Sequence, residues 1–164
     1  MASAHGHAAN RGVGASHHIR PLRADEVARY LGAVAIVVVG AIHAQQYYDA
    51  YFSFVPTIGT LFLLSFIGSG VVGATLIAPV RRLGRRVSDL ILVLAAAGGI
   101  GIAAGSLVSL LISEYRPLFG FMESGYRLAI VLALVFDATT TAFLGAFLLT
   151  EASARATARS SRRR

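Results

Sequence analysis

The chain contains no cysteine and no lysine. Without cysteine it has no disulfide, no thiolate nucleophile and no Cys-ligated metal or iron–sulfur centre. Without lysine, a P-loop, a Schiff-base intermediate and a Ser–Lys dyad are excluded, because each needs a lysine amine. The motifs H-E-x-x-H and G-x-S-x-G are also missing. These absences favour a protein that is not an enzyme, and no cofactor is predicted.

Charged residues are scarce as well, at 14% of the chain, whereas 55% of the residues are hydrophobic. The charges lie outside four long apolar runs, at about 30–47, 56–77, 87–112 and 128–150. A helix needs about 20 apolar residues to cross the hydrocarbon of a bilayer. The pattern predicts an all-α protein, an integral membrane four-helix transmembrane bundle. The charged leader before the first run is too long for a signal peptide and no clean small-x-small cleavage site follows the run, so we expect a span.

The two ends of the chain are polar. The composition of residues 1–29 predicts a disordered leader with a short polar lead-in over 21–29. The reason is that the segment has few apolar side chains to bury. Its four histidines leave a weak metal-binding tract as an alternative: His5, His7, His17 and His18. Residues 151–164 predict a basic tail at an anionic membrane surface.

The arginines indicate the orientation of the bundle. They are plentiful in the leader, in the tail and in the linker between the second and third runs, which carries Arg81, Arg82, Arg85 and Arg86. The positive-inside rule places these three segments, and both termini, in the cytoplasm. We attribute the net charge of +7 to this rule and not to nucleic-acid binding. The four linker arginines are also candidates for binding anionic lipid headgroups.

One carboxylate, Asp137, lies deep in the fourth run. Asp137 is about nine residues from the predicted outer end of its run, and His43 is about thirteen residues from the predicted inner end of the first run. At 1.5 Å per residue, the two counts from opposite faces place both residues near the same depth. A contact between them across two helices fits these depths. Thr140 and Thr141 share the face of Asp137, and Tyr47 shares the face of His43. Such a set is a proton relay, a cation site or a structural polar contact between helices.

Small residues recur at a spacing of four in two runs. This spacing lets two helix backbones approach closely. We expect most such contacts within the chain, with a second copy as the alternative. The residues are Ala97, Gly101, Gly105 and Ser109 in the third run, and Ser69 and Gly73 in the second.

Polar residues on the predicted outer side are weak metal candidates: His43, Asp49, Glu114 and Glu123. Imidazole and carboxylate groups do bind divalent cations. These residues are spread over two loops without a diagnostic spacing, however. We interpret them as ordinary interface polarity and predict no metal.

The segment His43-x3-Tyr47, followed by Pro56-Thr-Ile-Gly-Thr-Leu-Phe62, resembles a pattern in small uncharacterised four-span membrane proteins of high-GC bacteria. The resemblance implies a bacterial cytoplasmic (inner) membrane protein and no activity. The size is also similar to that of small multidrug-resistance transporters. Those carry their essential carboxylate in the first span, whereas this chain carries Asp137 in the fourth.

Two functional hypotheses follow. The preferred one is a non-enzymatic accessory or scaffold subunit of a membrane complex, or a homo-oligomer, with membrane lipids and other membrane subunits or itself as partners. The alternative is a small proton- or cation-coupled transporter that uses Asp137 and His43. A membrane-embedded enzyme has no supporting set of residues.

Overall fold

The computed structural model describes residues 23–49, 52–119 and 127–161. Within them, every long element is an α-helix: α1 Ala24–Asp49, α2 Pro56–Ile77, α3 Arg85–Tyr115 and α4 Leu128–Ser161. Two short 3₁₀ helices, Phe52–Phe54 and Val80–Leu83, precede α2 and α3. The predicted all-α class is confirmed. The histidine-containing leader, Glu123 and the final three arginines lie outside the described residues.

The four α-helices are long and apolar enough to cross a membrane, and they fit an integral membrane protein. They also leave large apolar side chains exposed on their outer faces: Val34, Leu64, Val71, Leu94, Val108 and Val135 are all more than half exposed. In water such surfaces would be unfavourable, whereas the lipid tails of a membrane would solvate them.

The helix ends follow local chemistry. Asp25 and Glu26 occupy the first turn of α1, where the helix macrodipole favours anions. Pro56 begins α2, as predicted, because the amide that proline lacks has no partner in a first turn. Three helices are longer than the apolar runs, and α3 exceeds its run by only two residues at its start and three at its end. α1 starts six residues before the predicted Tyr30, at Ala24, and α4 continues past Thr150 through part of the predicted tail.

The helices alternate in direction. α1 and α3 are diagonally opposite, and each packs mainly against α2 and α4. We call the end where α1 and α3 begin the Arg82 end, and the opposite end the Tyr48 end. At the Arg82 end the linker is fixed to α3 by Ser88, whose Oγ lies 2.7 Å from the Val80 carbonyl oxygen and 2.8 Å from that of Gly84.

An apolar layer sets the register of all four helices. A Cβ atom at Gly99 of α3 would lie 2.6 Å from Leu144 of α4 and 3.1 Å from Val72 of α2, with Ile36 of α1 also within 4 Å. Because residue 99 is a glycine, Leu144 and Val72 pack closely against the backbone of α3 without rearranging. Ile36 and Leu144 are fully buried there.

Small residues bring α1 and α2 together. A Cβ at Gly40 would lie 2.9 Å from the Cβ of Ser69, and a Cβ at Gly73 would lie 2.5 Å from the side chain of Val37. Ser69 and Gly73 are buried in this contact. The spacing of four in the second run thus lies at a close approach of two helices within the chain.

The stripe on α3 behaves differently. Ala97, Gly101, Gly105 and Ser109 are all exposed. A Cβ at Gly101 or Gly105 would have no described atom within 4 Å. The described residues thus place no neighbouring helix of the same chain against Gly101 or Gly105. The reason is that α3 buries a different face, formed by Leu92, Ala96, Gly99 and Ala103.

Candidate functional site

A polar layer lies two helical turns from the apolar layer, about 10 Å towards the Tyr48 end. The residue seven positions from each member of the apolar layer, counted towards the Tyr48 end, is polar in every helix. From Ile36, Val72, Gly99 and Leu144 this count reaches His43, Ser65, Ser106 and Asp137. Because the apolar layer fixes the register, these four residues lie at one level of the bundle. The contacts around His43 and Asp137 agree with this placement.

His43 is buried in α1 with both ring nitrogens in contact with oxygen atoms. Its Nδ1 lies 2.8 Å from the Val39 carbonyl oxygen, and its Nε2 lies 3.3 Å from the Ser106 hydroxyl of α3. A carbonyl only accepts, so Nδ1 carries the proton. In the neutral ring Nε2 then accepts a hydrogen bond from Ser106. The ring also packs edge-to-face on Phe62 of α2, at 5.3 Å between centroids.

Asp137 lies on the other side of Ser106 and is fully buried. Ser106 is the side chain that interacts with its carboxyl group. Even so, neither carboxyl oxygen has a partner at hydrogen-bonding geometry among the described residues. A buried carboxylate without a donor costs several kcal/mol. The group therefore requires a proton, a cation or water close to it.

Two hydroxyl groups extend the polar region by one turn towards the Arg82 end. Thr140 of α4 and Ser69 of α2 are both fully buried. Neither Thr140 Oγ1 nor Ser69 Oγ has a hydrogen-bond partner among the described residues. Buried polar atoms are normally paired. Four unpaired oxygens within about two helical turns mark this part of the bundle as chemically distinct from the apolar layer below it.

A cavity of about 370 Å³ opens from the polar layer towards the Tyr48 end. His43, Ser65 and Ser106 form its polar wall at this layer, and Gln46, Ser109 and Ser113 line it further towards the Tyr48 end. Most of its other lining is apolar and includes Ile42, Phe62, Ile102, Leu110, Phe119 and Ile130. Its volume falls within the range of about 300–1,000 Å³ found for small-molecule sites. Asp137 lies behind this wall, one turn of α4 beyond the lining residue Ala133.

No family model matches the chain, and no curated protein or solved structure matches it either. The functional argument therefore depends on the chemistry of the polar layer and the cavity.

The structure brings together some of the predicted residues and separates others. His43 and Asp137 are at one level, but Ser106 lies between them. The Thr141 hydroxyl donates a hydrogen bond to the Asp137 carbonyl oxygen of its own helix, at 2.9 Å. Tyr47 packs edge-to-face on Tyr48, at 4.9 Å between centroids. Thr141 and Tyr47 are thus engaged elsewhere.

The weak metal candidates are not gathered into a site. Among the described residues, no group of three His, Asp or Glu side chains is placed to hold a metal ion. Asp49 is exposed at the end of α1, and Glu114 is partly buried near the end of α3. Glu123 lies outside the described residues.

The predicted headgroup arginines are only partly described. Arg82 lines a groove at the Arg82 end, and Arg85 and Arg86 are exposed in the first turn of α3. The side chain of Arg81 lies outside the described part of the chain.

Sequence reasoning missed Ser106, which is the central residue of the site. A serine in an apolar run is common and gives no signal by itself. The only available signal is its spacing of seven from Gly99, which matches the spacing of His43 from Ile36 and of Asp137 from Leu144. That spacing has meaning only after the packed layer is known.

Proposed function

We propose that the protein is a small proton- or cation-coupled carrier in a bacterial cytoplasmic membrane, with both termini cytoplasmic. The observation that carries this proposal is Asp137, which is fully buried, lacks a hydrogen-bond partner within the described part of the chain and lies next to Ser106. Ser106 also contacts His43, and both line the cavity. The cavity would hold a small, mainly apolar ligand, and Asp137 would exchange the coupling proton or cation.

A protonated Asp137 supports a continuous hydrogen-bonded chain. Its hydroxyl would donate to Ser106, the Ser106 hydroxyl would donate to His43 Nε2, and His43 Nδ1 donates to the Val39 carbonyl. Every donor then has an acceptor. If Ser106 gives its proton to Nε2 while taking the proton of Asp137, the result is a carboxylate and an imidazolium. The charge on the cavity wall thus depends on the state of Asp137.

A cation is the second coupling species compatible with these groups. The oxygens of Asp137, Thr140 and Ser69, which have no partner among the residues that the structure describes, are hard donors and suit cations that prefer oxygen ligands. In that case the cation would displace the proton from Asp137. Binding of one and release of the other would be linked by the same carboxyl group.

Proton flux in vesicles tests the carrier proposal. The full-length protein is reconstituted with pyranine inside the vesicles, and external NaCl or benzyltrimethylammonium chloride is added, with choline chloride as the reference salt. We expect the lumen to become more alkaline in response to one of the two probe cations. Asp137→Asn should remove the response, because the amide exchanges no proton.

Asp89→Asn is the matched control, since Asp89 lies in the second turn of α3, outside the polar layer. It should respond like the wild type. A wild-type protein that responds to neither cation, or an Asp137→Asn protein that responds fully, would contradict a coupled carrier.

The second candidate is the accessory or scaffold subunit. Exposure of Ala97, Gly101, Gly105 and Ser109 favours it, because a smooth helix face allows another transmembrane helix to approach closely. Such a helix would also cover the cavity, which Gly101, Gly105 and Ser109 line. The cysteine-free chain permits a direct test by disulfide crosslinking in membranes. Ser109→Cys should crosslink if two copies meet at this stripe.

Leu111→Cys is the control for that experiment, since residue 111 is exposed but points about 200° away around α3. Adding Gly101→Leu to Ser109→Cys should abolish the crosslink, and adding Gly70→Leu on α2 should not. Equal crosslinking at positions 109 and 111 would show random collision and exclude self-association through the stripe.

A further inference from the structure

A groove of about 470 Å³ lies at the Arg82 end, far from the polar layer. One wall is the first turns of α1, with Glu26, Arg29 and Tyr30. The other wall is the end of α2 and the linker that follows, including Ile77 and Arg82. In the proposed orientation this groove opens at the cytoplasmic face of the membrane.

Arg29 is the unusual residue of this groove, because only 5% of its surface is exposed. Its Nη2 donates to the Tyr30 hydroxyl at 2.7 Å, and its guanidinium carbon lies 4.5 Å from the centre of the Tyr30 ring. Its Nε is buried without a hydrogen-bond partner among the described residues. Nη2 carries two N–H groups, so one of them remains for another acceptor. Nε–H and Nη–H together form a fork that fits two oxygens of a phosphate.

Arg82 brings a second guanidinium to the groove from the linker. Glu26 brings one carboxylate, whose Oε2 accepts a hydrogen bond from the Arg23 amide at 3.3 Å. Two positive groups and one negative group leave the groove with a net positive charge. An anion is therefore the complementary ligand.

The surface next to the groove is apolar along α1. Val34 lies one turn beyond Tyr30 on the same face, and it is 58% exposed. Ile77 is also about half exposed at the opposite wall. A ligand with an anionic head in the groove would thus have an apolar path for its chains towards the membrane interior. This combination matches a phospholipid better than a soluble phosphate.

We infer that the groove binds the phosphate group of an anionic phospholipid, with Arg29 and Arg82 as its cationic ligands. Arg29 holds the phosphate oxygens through its fork, and Tyr30 fixes the orientation of the guanidinium. Arg82 adds charge at the exposed rim. This inference does not depend on the proposed carrier activity, because the groove and the polar layer share no residue.

Native mass spectrometry of the full-length protein in mild detergent tests this inference. The protein is titrated with phosphatidylglycerol, with phosphatidylcholine and with inorganic phosphate. We expect tighter binding of phosphatidylglycerol than of phosphatidylcholine, and no retention of inorganic phosphate. Arg29→Gln should weaken phosphatidylglycerol binding about tenfold or more, because a charge-assisted hydrogen bond is lost. Arg29→Lys keeps the charge but not the fork, and should give an intermediate loss.

Two further variants separate binding from folding. Arg82→Gln changes an exposed side chain, so it should weaken binding without lowering the unfolding temperature. Arg155→Gln, at the same end of the bundle but paired with Glu151 on α4, should bind like the wild type. Equal binding of both lipids, or wild-type binding by Arg29→Gln and Arg82→Gln, would overturn the inference. Retention of inorganic phosphate that depends on the same arginines would overturn the assignment to a lipid.

Discussion

Asp137 exposes no surface, and its carboxyl oxygens have no hydrogen-bond partner among the described residues. Its polar group therefore costs free energy in the folded state, because an apolar side chain of similar shape is often neutral or stabilising at such a position.

We therefore expect Asp137→Val to raise the free energy of unfolding by about 1 to 3 kcal/mol while removing proton flux. Thermal unfolding in detergent measures the first effect, and the pyranine assay measures the second. Thr139→Val, on the same helix, should change stability by less than about 0.5 kcal/mol. A clear loss of stability in Asp137→Val would indicate that the carboxyl group holds the helices together.

Ser106 provides the second prediction at the residue scale. Its hydroxyl contacts His43 and interacts with Asp137, so Ser106→Ala would break the proposed hydrogen-bonded chain and should remove the proton response. Ser106→Thr keeps a hydroxyl group and should retain part of the response. Vesicle assays of both variants make this comparison.

Ser113→Ala is the matched control for Ser106→Ala. Ser113 also lines the cavity on α3, but its hydroxyl donates to the Leu110 carbonyl of its own helix. We expect its proton response to resemble that of the wild type. If Ser106→Ala also behaved like the wild type, the proton path would not run through Ser106.

At the scale of elements, the glycines of α2 show which helix faces are packed. A Cβ at Gly59 would lie 2.5 Å from the Phe52 carbonyl oxygen and 3.3 Å from the Ser53 Cα, both of them backbone atoms that do not yield easily. A Cβ at Gly70 would have no described atom within 4 Å. The two glycines belong to one helix but have opposite environments.

Gly59→Ala should therefore lower the free energy of unfolding by about 1 to 3 kcal/mol through overpacking. Gly70→Ala should leave it unchanged or raise it by about 1 kcal/mol, since alanine has the higher helix propensity. Thermal unfolding of the two variants in the same detergent checks the opposite signs. A stable Gly59→Ala protein would show that the 3₁₀ helix at Phe52–Phe54 moves away from α2 at little cost.

At the scale of the whole molecule, the distribution of arginines predicts the orientation. Single cysteines can be placed at exposed positions without background, because the chain has none. An impermeant maleimide should label Asp49→Cys and Tyr115→Cys in intact cells. It should label Leu83→Cys and Ser160→Cys only after the membrane is permeabilised. Labelling of positions 83 and 49 on the same side would contradict four crossings.

The sequence by itself determined the helical class and the positions of the four apolar helices, because length and hydropathy are local properties of the chain. It also singled out His43 and Asp137, since ionisable groups are rare in apolar runs. The ends of α1 and α4 were harder to predict from the sequence. These helices continue beyond the apolar residues on which the prediction was based, and the Glu151–Arg155 pair at 3.6 Å lies in the continuation of α4.

Only the tertiary structure decided which faces meet. Small residues spaced four apart occur on two faces of α3. The sequence singled out the face of Gly101, but the face of Gly99 is the buried one, because Leu144 and Val72 pack against Gly99. That choice sets the register of the four helices. The register in turn places Ser106 between His43 and Asp137 and buries Arg29 at the groove. Such contacts join residues far apart in the chain, so no local pattern records them.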